Sequence, residues 1–389
     1  MEKEKKKNNI LLIIILAAIF GLVGGLAGEL IVGTYILGGA LNMPLFGDID
    51  FSDVSYGGSN LIIRDAKKVV VEQNDKAVET INSAAGSLAA IFKKKSSGES
   101  KGSNSFNSDD YYAAGQEVGQ GLIITSDGWI ITSFKPETAD NYMVMTKDKV
   151  IYAIDKMASD KLTSFNFLHV QAKDLPVKKF AGWDEIKNGQ IVLAVNWDGR
   201  AVLNSIADRK KRAVDLVDSS DSFLSRISLA EDLSKEFAGS VLFNLAGDIV
   251  GLSDKEAVEP ISHLDSAIKS LLGSGEVKRP TLGINYIDLS RLARITRTNS
   301  EAAVGLRQNE KGAIIHQNVN GVAVIKGSPA YSAGLKEGDI ILSVNNIEIN
   351  EDNNLTDIIQ GFQAGDKINV IYSRKGEEKE VEVELGEAR

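Results

Sequence analysis

The stretch Glu236-Phe237-Ala238-Gly239-Ser240-Val241-Leu242-Phe243-Asn244-Leu245-Ala246-Gly247-Asp248-Ile249-Val250-Gly251-Leu252 sets the reading of the whole chain. Its apolar run over 241–245 predicts a buried strand. Ala246-Gly247 predicts a tight turn, and 249–252 a second strand. Earlier segments repeat the pattern. Gly119-Gln120-Gly121-Leu122-Ile123-Ile124-Thr125 and Trp129-Ile130-Ile131-Thr132 flank Ser126-Asp127-Gly128, a hairpin signal. Further apolar runs at 142–145, 150–154, 165–170 and 191–195 predict more strands. Short strands with turn signals and little helix argue for a barrel or sandwich. A helix over 262–272 closes this unit, with Ser262 and Asp265 at capping-box spacing. Leu264, Ala267, Ile268, Leu271 and Leu272 form its apolar face.

Residues 273–280 read as a linker to a second module. There Leu282-Gly283-Ile284 precedes strands near 313–315 and 340–344. A helix follows with Leu355, Ile358, Ile359 and Phe362 at i, i+3, i+4, i+7, and then a final alternating hairpin.

Working toward the N-terminus, 96–110 is rich in Ser, Gly, Asn and Asp and reads as a flexible loop. Residues 88–92 are expected to form the first strand. A short helix before it is capped by Asn74 or Asp75 and carries Val78, Ile81 and Ala84 on one face. Residues 32–65 form a tether. Residues 10–31 are predicted to be a transmembrane helix, broken only by Glu29 near its far end. Its length, with no clear Ala-x-Ala site, favours an anchor over a cleaved signal peptide. Lysines 3, 5, 6 and 7 in the tail over 1–9 place the N-terminus in the cytoplasm and the bulk of the chain outside.

Composition excludes several classes. The 389 residues are too many for one core and fit domains over 66–273 and 280–387. A net charge of −9 disfavours a nucleic-acid partner. The block Arg209-Lys210-Lys211-Arg212 reads as a solvated turn. With no cysteine and only His169, His263 and His316, neither a disulfide, a metal site nor a cofactor is expected.

The order of anchor, β-rich domain and small α/β module resembles the HtrA-type trypsin-like serine proteases with a C-terminal PDZ domain. The landmarks are Gly119 to Thr132, then Asp174-Leu175-Pro176-Val177 with 188–195, then 239–252. In the second module they are Gly327-Ser328-Pro329-Ala330, Ala333-Gly334-Leu335 and Gly338-Asp339-Ile340-Ile341. The resemblance implies a mainly β chain: a transmembrane helix, a trypsin-like double β-barrel and an α/β PDZ domain. It also implies a homotrimer, or a hetero-oligomer with an active relative.

Such a protease needs a nucleophilic serine, a histidine base and an orienting carboxylate. At the matching positions this chain has Ala238, Lys135 and Ser164. Glu236-Phe237 replaces the Gly-Asn pair that shapes the oxyanion hole, and a Glu there opposes a developing negative charge. Ser240 with Lys135 as base is an alternative, as is an active endopeptidase with a non-standard site. The resemblance therefore implies an inactive protease domain. Its PDZ module would bind C-terminal or unfolded segments of envelope proteins as a scaffold, chaperone-like binder or regulatory partner.

A PDZ groove adds a peptide strand to a sheet edge and holds its terminal carboxylate on backbone N–H groups. The resemblance assigns that loop to Leu282, Gly283 and Ile284, with Arg279 adding charge. It assigns the apolar pocket to Leu355, Ile358 and Ile359. In a third reading the groove is blocked, with 318–326 as its cover.

Overall fold

The computed structural model describes residues 16–25, 41–43, 47–49, 73–95, 108–212, 216–223, 225–254, 257–292 and 311–388. The chain divides into Met1–Glu72 and Gln73–Arg389. In the first unit, helix α1 covers 16–25, inside the predicted transmembrane span. Among the described residues no helix is long and apolar enough to cross a membrane, and the remainder of the span lies outside them. The predicted tether contains strands β1 (Leu41–Met43) and β2 (Gly47–Ile49), paired antiparallel.

The second unit opens with helix α2 over 73–84. Its packed face is Ala77, Thr80, Ile81 and Ala84, an i, i+3, i+4, i+7 set. Val78, expected on that face, points away and is 58% exposed. The Thr80 hydroxyl donates to the Leu245 carbonyl at 3.2 Å, tying α2 to the turn of the deciding stretch.

Two closed antiparallel barrels follow. The first contains β3 (Leu88–Lys93), β4 (Gly119–Ile123), β5 (Trp129–Thr132), β6 (Tyr142–Thr146), β7 (Ile151–Ser159) and β8 (Asn166–Val170), in the order β3-β4-β5-β8-β7-β6. Of the predicted loop before β4, 96–107 lies outside the described residues, and Ser108–Asp110 is a 3-10 turn. The second barrel contains β9 (Ile191–Val195), β10 (Ala201–Arg212), β12 (Ser225–Leu229), β13 (Val241–Asn244), β14 (Ile249–Ser253) and β15 (Val258–Pro260). Between β10 and β12 lies β11 (Asp218–Ser219), which belongs to neither barrel.

Most of the apolar runs are strands buried on both faces; the run at 150–154 is not, since β7 is largely exposed, with Ile154 alone buried. Along β3, Ala89 and Ile91 point into the first barrel, while Leu88, Ala90 and Phe92 join Leu193, Val195, Val241 and Phe243 in the layer between barrels. Val192, Ala194, Leu242 and Val250 fill the second barrel. A strand with apolar partners on both faces has no solvent face to mark with polar residues, so its sequence runs apolar without alternation.

Gly128 closes the β4–β5 hairpin at φ +119°, where a Cβ would lie 1.9 Å from the Val170 carbonyl oxygen. Gly128→Ala is expected to lower stability by at least ~2 kcal/mol, from backbone strain plus a forced shift of β8. A thermal melt of wild type and variant checks this. An unchanged Tm would contradict the packing described.

Helix α3 (Asp265–Ser274) follows a 3-10 turn, Ile261–Leu264. The Ser262–Asp265 capping box does not form; no side chain caps α3. Leu264, Ala267, Ile268 and Leu271 are buried as expected, but Leu272 is half exposed. The third module holds β16 (Pro280–Thr281), β17 (Asn285–Asp288), β18 (Ala313–Ile315), α4 (Pro329–Ser332), β19 (Ile340–Val344) and β20 (Ile347–Glu348). It continues with α5 (Leu355–Gln360), β21 (Lys367–Arg374), β22 (Glu377–Glu384) and β23 (Gly386–Glu387). Its sheet runs β11-β17-β18-β19-β21-β22, so the strand between β10 and β12 is its edge.

The basic block 209–212 is the end of β10, not a solvated turn. Arg209 pairs with Asp352 at 3.0 Å, and Lys210 donates to the Glu351 and Asp352 carbonyls. Arg279, expected near a ligand carboxylate, is buried instead. It forms a two-pronged ion pair with buried Asp160 and donates to the Ser266 hydroxyl at 2.8 Å.

Candidate functional site: a cleft without its base and a filled groove

Between the barrels lies a cleft of about 380 Å³, lined in part by Ser133, Phe134, Thr163, Ser164, Ala238 and Gly239. The fold therefore brings the positions of Ser164 and Ala238 together, beside the segment that leads to Lys135. Lys135 itself is exposed and not part of the lining.

Local chemistry fixes each wall. Ser164 sits at φ +64°, and its N–H donates to the Asp160 carbonyl. The Thr163 hydroxyl donates to the Asp160 carboxylate, and the Asn166 amide reaches the Phe134 carbonyl at 3.0 Å. On the opposite wall a 3-10 turn, Lys235–Phe237, leads into Ala238. Gln120 is nine-tenths buried and donates from Nε2 to the Ala238 carbonyl at 3.1 Å. Asn196 donates to the Glu236 carbonyl at 3.0 Å.

The turn also uses the backbone donor that an oxyanion hole would need. The Ala238 N–H donates to the Lys235 carbonyl at 3.2 Å. Glu236 is exposed and lies 3.5 Å from Arg200.

The alternative nucleophile is not in the cleft. Ser240 is fully buried, with its hydroxyl 3.0 Å from that of Ser253 and its N–H donated to the Phe237 carbonyl. None of the three histidines lines the cleft. His169 meets Asp155 at 2.6 Å. Burial pushes the Asp155 carboxyl up, but the hydrogen bonds from His169 and Gln171 and the His169 charge together outweigh it and hold the group below its usual range. His263 is buried, bonded to Glu259 at 2.7 Å, and stacked on Phe223 at 3.7 Å between ring centroids. The His316 ring nitrogen lies 2.9 Å from the Gln317 carbonyl. Among the described residues no group of acidic or histidine side chains is arranged to hold a metal.

In the third module Leu282, Gly283 and Ile284 form a loop with Gly283 at φ +84°. A Cβ on Gly283 would lie 2.2 Å from that of Ser328, so only glycine fits. The loop's N–H groups point into a groove between β17 and α5, and all three are engaged. Leu282 and Gly283 donate to Asp221 Oδ1 at 2.8 and 3.2 Å. Ile284 donates to Ser220 Oγ at 3.1 Å. β11 lies beside β17, with Asp218 opposite Tyr286 and Ser219 opposite Asn285.

The apolar residues of α5 mainly build the core. Leu355 and Ile359 are fully buried in it and Ile358 packs at its margin. The bonds from α5 to the inserted strand come from Thr356, whose hydroxyl donates to the Ser219 carbonyl at 2.6 Å, and Gln360, whose amide donates to the Ser220 carbonyl at 3.3 Å. The sequence signal for these two was their place beside the apolar face, one residue on from Leu355 and Ile359. Tyr286 lies beneath, fully buried, its hydroxyl 2.8 Å from that of Thr356. Burial, with the Asp218 charge, pushes its phenol far above the usual range. Segment 318–326 does not cover the groove. It bonds elsewhere on the loop, with Ile325 N–H donating to the Gly283 carbonyl and Asn285 N–H to the Ala323 carbonyl.

Comparison with known proteins agrees with this fold. The family profile PDZ_2, a PDZ domain, matches residues 280–385. A probable periplasmic serine endoprotease DegP-like from Hahella chejuensis is 28% identical over 288 residues, covering 70% of this chain and 57% of the relative. Its counterpart from Marinomonas sp. (strain MWYL1) is 29% identical over 289 residues, with the same coverages. The chain thus spans a little over half the length of these curated relatives. Among solved structures, the HtrA-type protease AlgW with tripeptide aligns at TM-score 0.54 and 19% identity, over 81% of this chain and 97% of that one. AlgW with decapeptide aligns at 0.51 and 20%, over 80% and 98%. At such identity these structures speak for the fold: a trypsin-like double barrel followed by a PDZ domain. Residues 280–385 are thus a PDZ domain, and the whole architecture, with the DegP-like relatives, makes the chain similar to HtrA-type proteases.

Proposed function

We propose that the chain is a catalytically silent HtrA-type protein that binds C-terminal or unfolded segments of envelope proteins through its PDZ groove. The observation that carries this reading is the cleft. Ala238 replaces a nucleophile, no histidine lines the cavity, and the Ala238 N–H is donated to Lys235. An acyl-transfer site works as a unit of nucleophile, base and oxyanion donors, and loss of one member removes most of the rate. The PDZ loop, by contrast, keeps its glycine and its inward N–H groups.

The relatives are named periplasmic endoproteases, which supports an extracytoplasmic location for the bulk of this chain. Residues 10–31 would anchor it in the cell membrane with the N-terminus in the cytoplasm. Self-association as a trimer, or assembly with an active relative, follows from the HtrA-type build. The role is then scaffold, chaperone-like binder or regulatory partner.

The rival reading, an active endopeptidase, draws support from the relatives' names. It requires a serine to do the work of the absent nucleophile; Ser240 faces the core, and Ser133 and Ser164 line the cleft without a histidine in its lining. Incubating the full chain with casein separates the two. No cleavage is expected under conditions where an active HtrA protease digests it. Cleavage abolished by Ser240→Ala would overturn the proposal.

A further inference from the structure

The groove that the proposed function uses is already filled, and the occupant is this chain. Residues 218–221 meet the requirements of a bound peptide one after another. β11 extends the sheet antiparallel at its β17 edge. The Ser220 N–H donates to the Ile284 carbonyl at 3.0 Å, which continues the ladder to the mouth of the loop. At that point a bound chain end would turn its terminal carboxylate onto the loop's N–H groups. Here the Asp221 side chain supplies the carboxylate, accepting from Leu282 and Gly283. The Ser220 hydroxyl takes the remaining donor, Ile284, and itself donates to Asp221 at 2.7 Å.

The fit extends along the strand. Thr356 and Gln360 hold the Ser219 and Ser220 carbonyls from the α5 side. Arg291, following β17, pairs with the Asp218 carboxylate at 2.9 Å. Ser220 is fully buried and Asp218 nearly so. An ordinary connection between two barrel strands runs over the surface and bonds its backbone to water. This one buries its backbone in another domain and satisfies that domain's ligand-binding donors.

We propose that residues 218–221 are a tethered internal ligand of the PDZ groove, with the Asp221 carboxylate standing in for a chain terminus. This rests on the reading of the groove as a peptide site. An external ligand must carry a free α-carboxylate, the group that can replace Asp221 on the Leu282 and Gly283 N–H groups. It must also displace a competitor whose attachment to β10 and β12 holds it near the groove, so its apparent affinity falls by the fraction of time the groove is open. Entry of a chain end would free the β10–β12 connection of the second barrel.

The test uses the full 389-residue chain. The probe is a fluorescein-labelled peptide of the sequence Leu216 to Ser220 ending in a free carboxylate, with its C-terminal amide as control. Charged hydrogen bonds of this kind carry enough energy that Asp221→Ala should bind the probe at least about tenfold more tightly than wild type. The amide should bind neither. Amide hydrogen exchange on the same samples should show Leu282 and Gly283 protected in wild type and unprotected in the variant, with β19 and β21 protected in both. Equal probe affinity in wild type and variant, with exchange at Leu282 and Gly283 unchanged, would overturn the internal ligand and leave the peptide site standing. No probe binding by either protein, with the β19 and β21 amides protected, would overturn the peptide site and the internal ligand with it.

Discussion

Arg279→Ala is expected to cost about 3–5 kcal/mol of folding stability, because it strands a charge that water cannot reach. Asp160 and Arg279 are 119 residues apart in sequence, and both are almost wholly buried. Asp160 holds the turn that sets Thr163 and Ser164 in the cleft. Arg279 sits where α3 gives way to β16. The pair therefore links the first barrel to the start of the PDZ domain, with Ser266 of α3 as a third point. Removing the guanidinium leaves the Asp160 carboxylate without its partner in a site of low polarity. A double replacement, Arg279→Met with Asp160→Leu, removes both charges and should recover most of the loss, since an apolar pair of similar volume needs no compensating charge. Urea denaturation of the three proteins checks the cycle. A loss below ~1 kcal/mol for Arg279→Ala, or no recovery in the double variant, would show that the pair is not buried as described.

Restoring the serine alone should restore nothing. Ala238→Ser is expected to remain about a million-fold below an intact triad in turnover, because a hydroxyl without a general base is a weak nucleophile and the triad acts as a unit. Lys135 is exposed and outside the cleft lining, and Ser164 offers no carboxylate. The donor at residue 238 is also taken by Lys235. Turnover of a chromogenic peptide ester by the purified variant is the measurement. Activity within a thousandfold of an active HtrA protease would mean that a base exists in the cleft.

Much of this architecture could be read from the chain because several of its strands are buried on both faces. β3, β9 and β13 each divide their side chains between a barrel interior and the layer between barrels, so they appear as short unbroken apolar runs. β10 was harder. It ends in Asp208-Arg209-Lys210-Lys211-Arg212, a composition that suggests solvent, and it keeps extended structure through pairing with β12 and contacts to residues 351 and 352 of the PDZ domain. β11 carried no local signal at all. Asp218 and Ser219 are poor strand formers, and what extends them is the edge of β17, about 70 residues further along.

The cleft was legible in part: Ser164 and Ala238, matched from separate landmarks, meet in one cavity, while Lys135 lies outside its lining. The groove was legible only in part. Leu282, Gly283 and Ile284 announced the loop. The helical period at 355, 358 and 359 marked the face of α5 that builds the core, and Thr356 and Gln360, which bond residues 219 and 220, fell between those positions. Periodicity reports where a helix is buried and is silent on which polar neighbours meet a bound strand.

We propose that the barrel is chemically silent. The most direct measurement is labelling of the full chain with a fluorophosphonate probe, followed by intact mass analysis, with an active HtrA protease alongside. The expected result is an unshifted mass for this chain and stoichiometric labelling of the control. A single covalent adduct, mapped to any serine of the cleft or to Ser240, would contradict the account and return the chain to the working proteases.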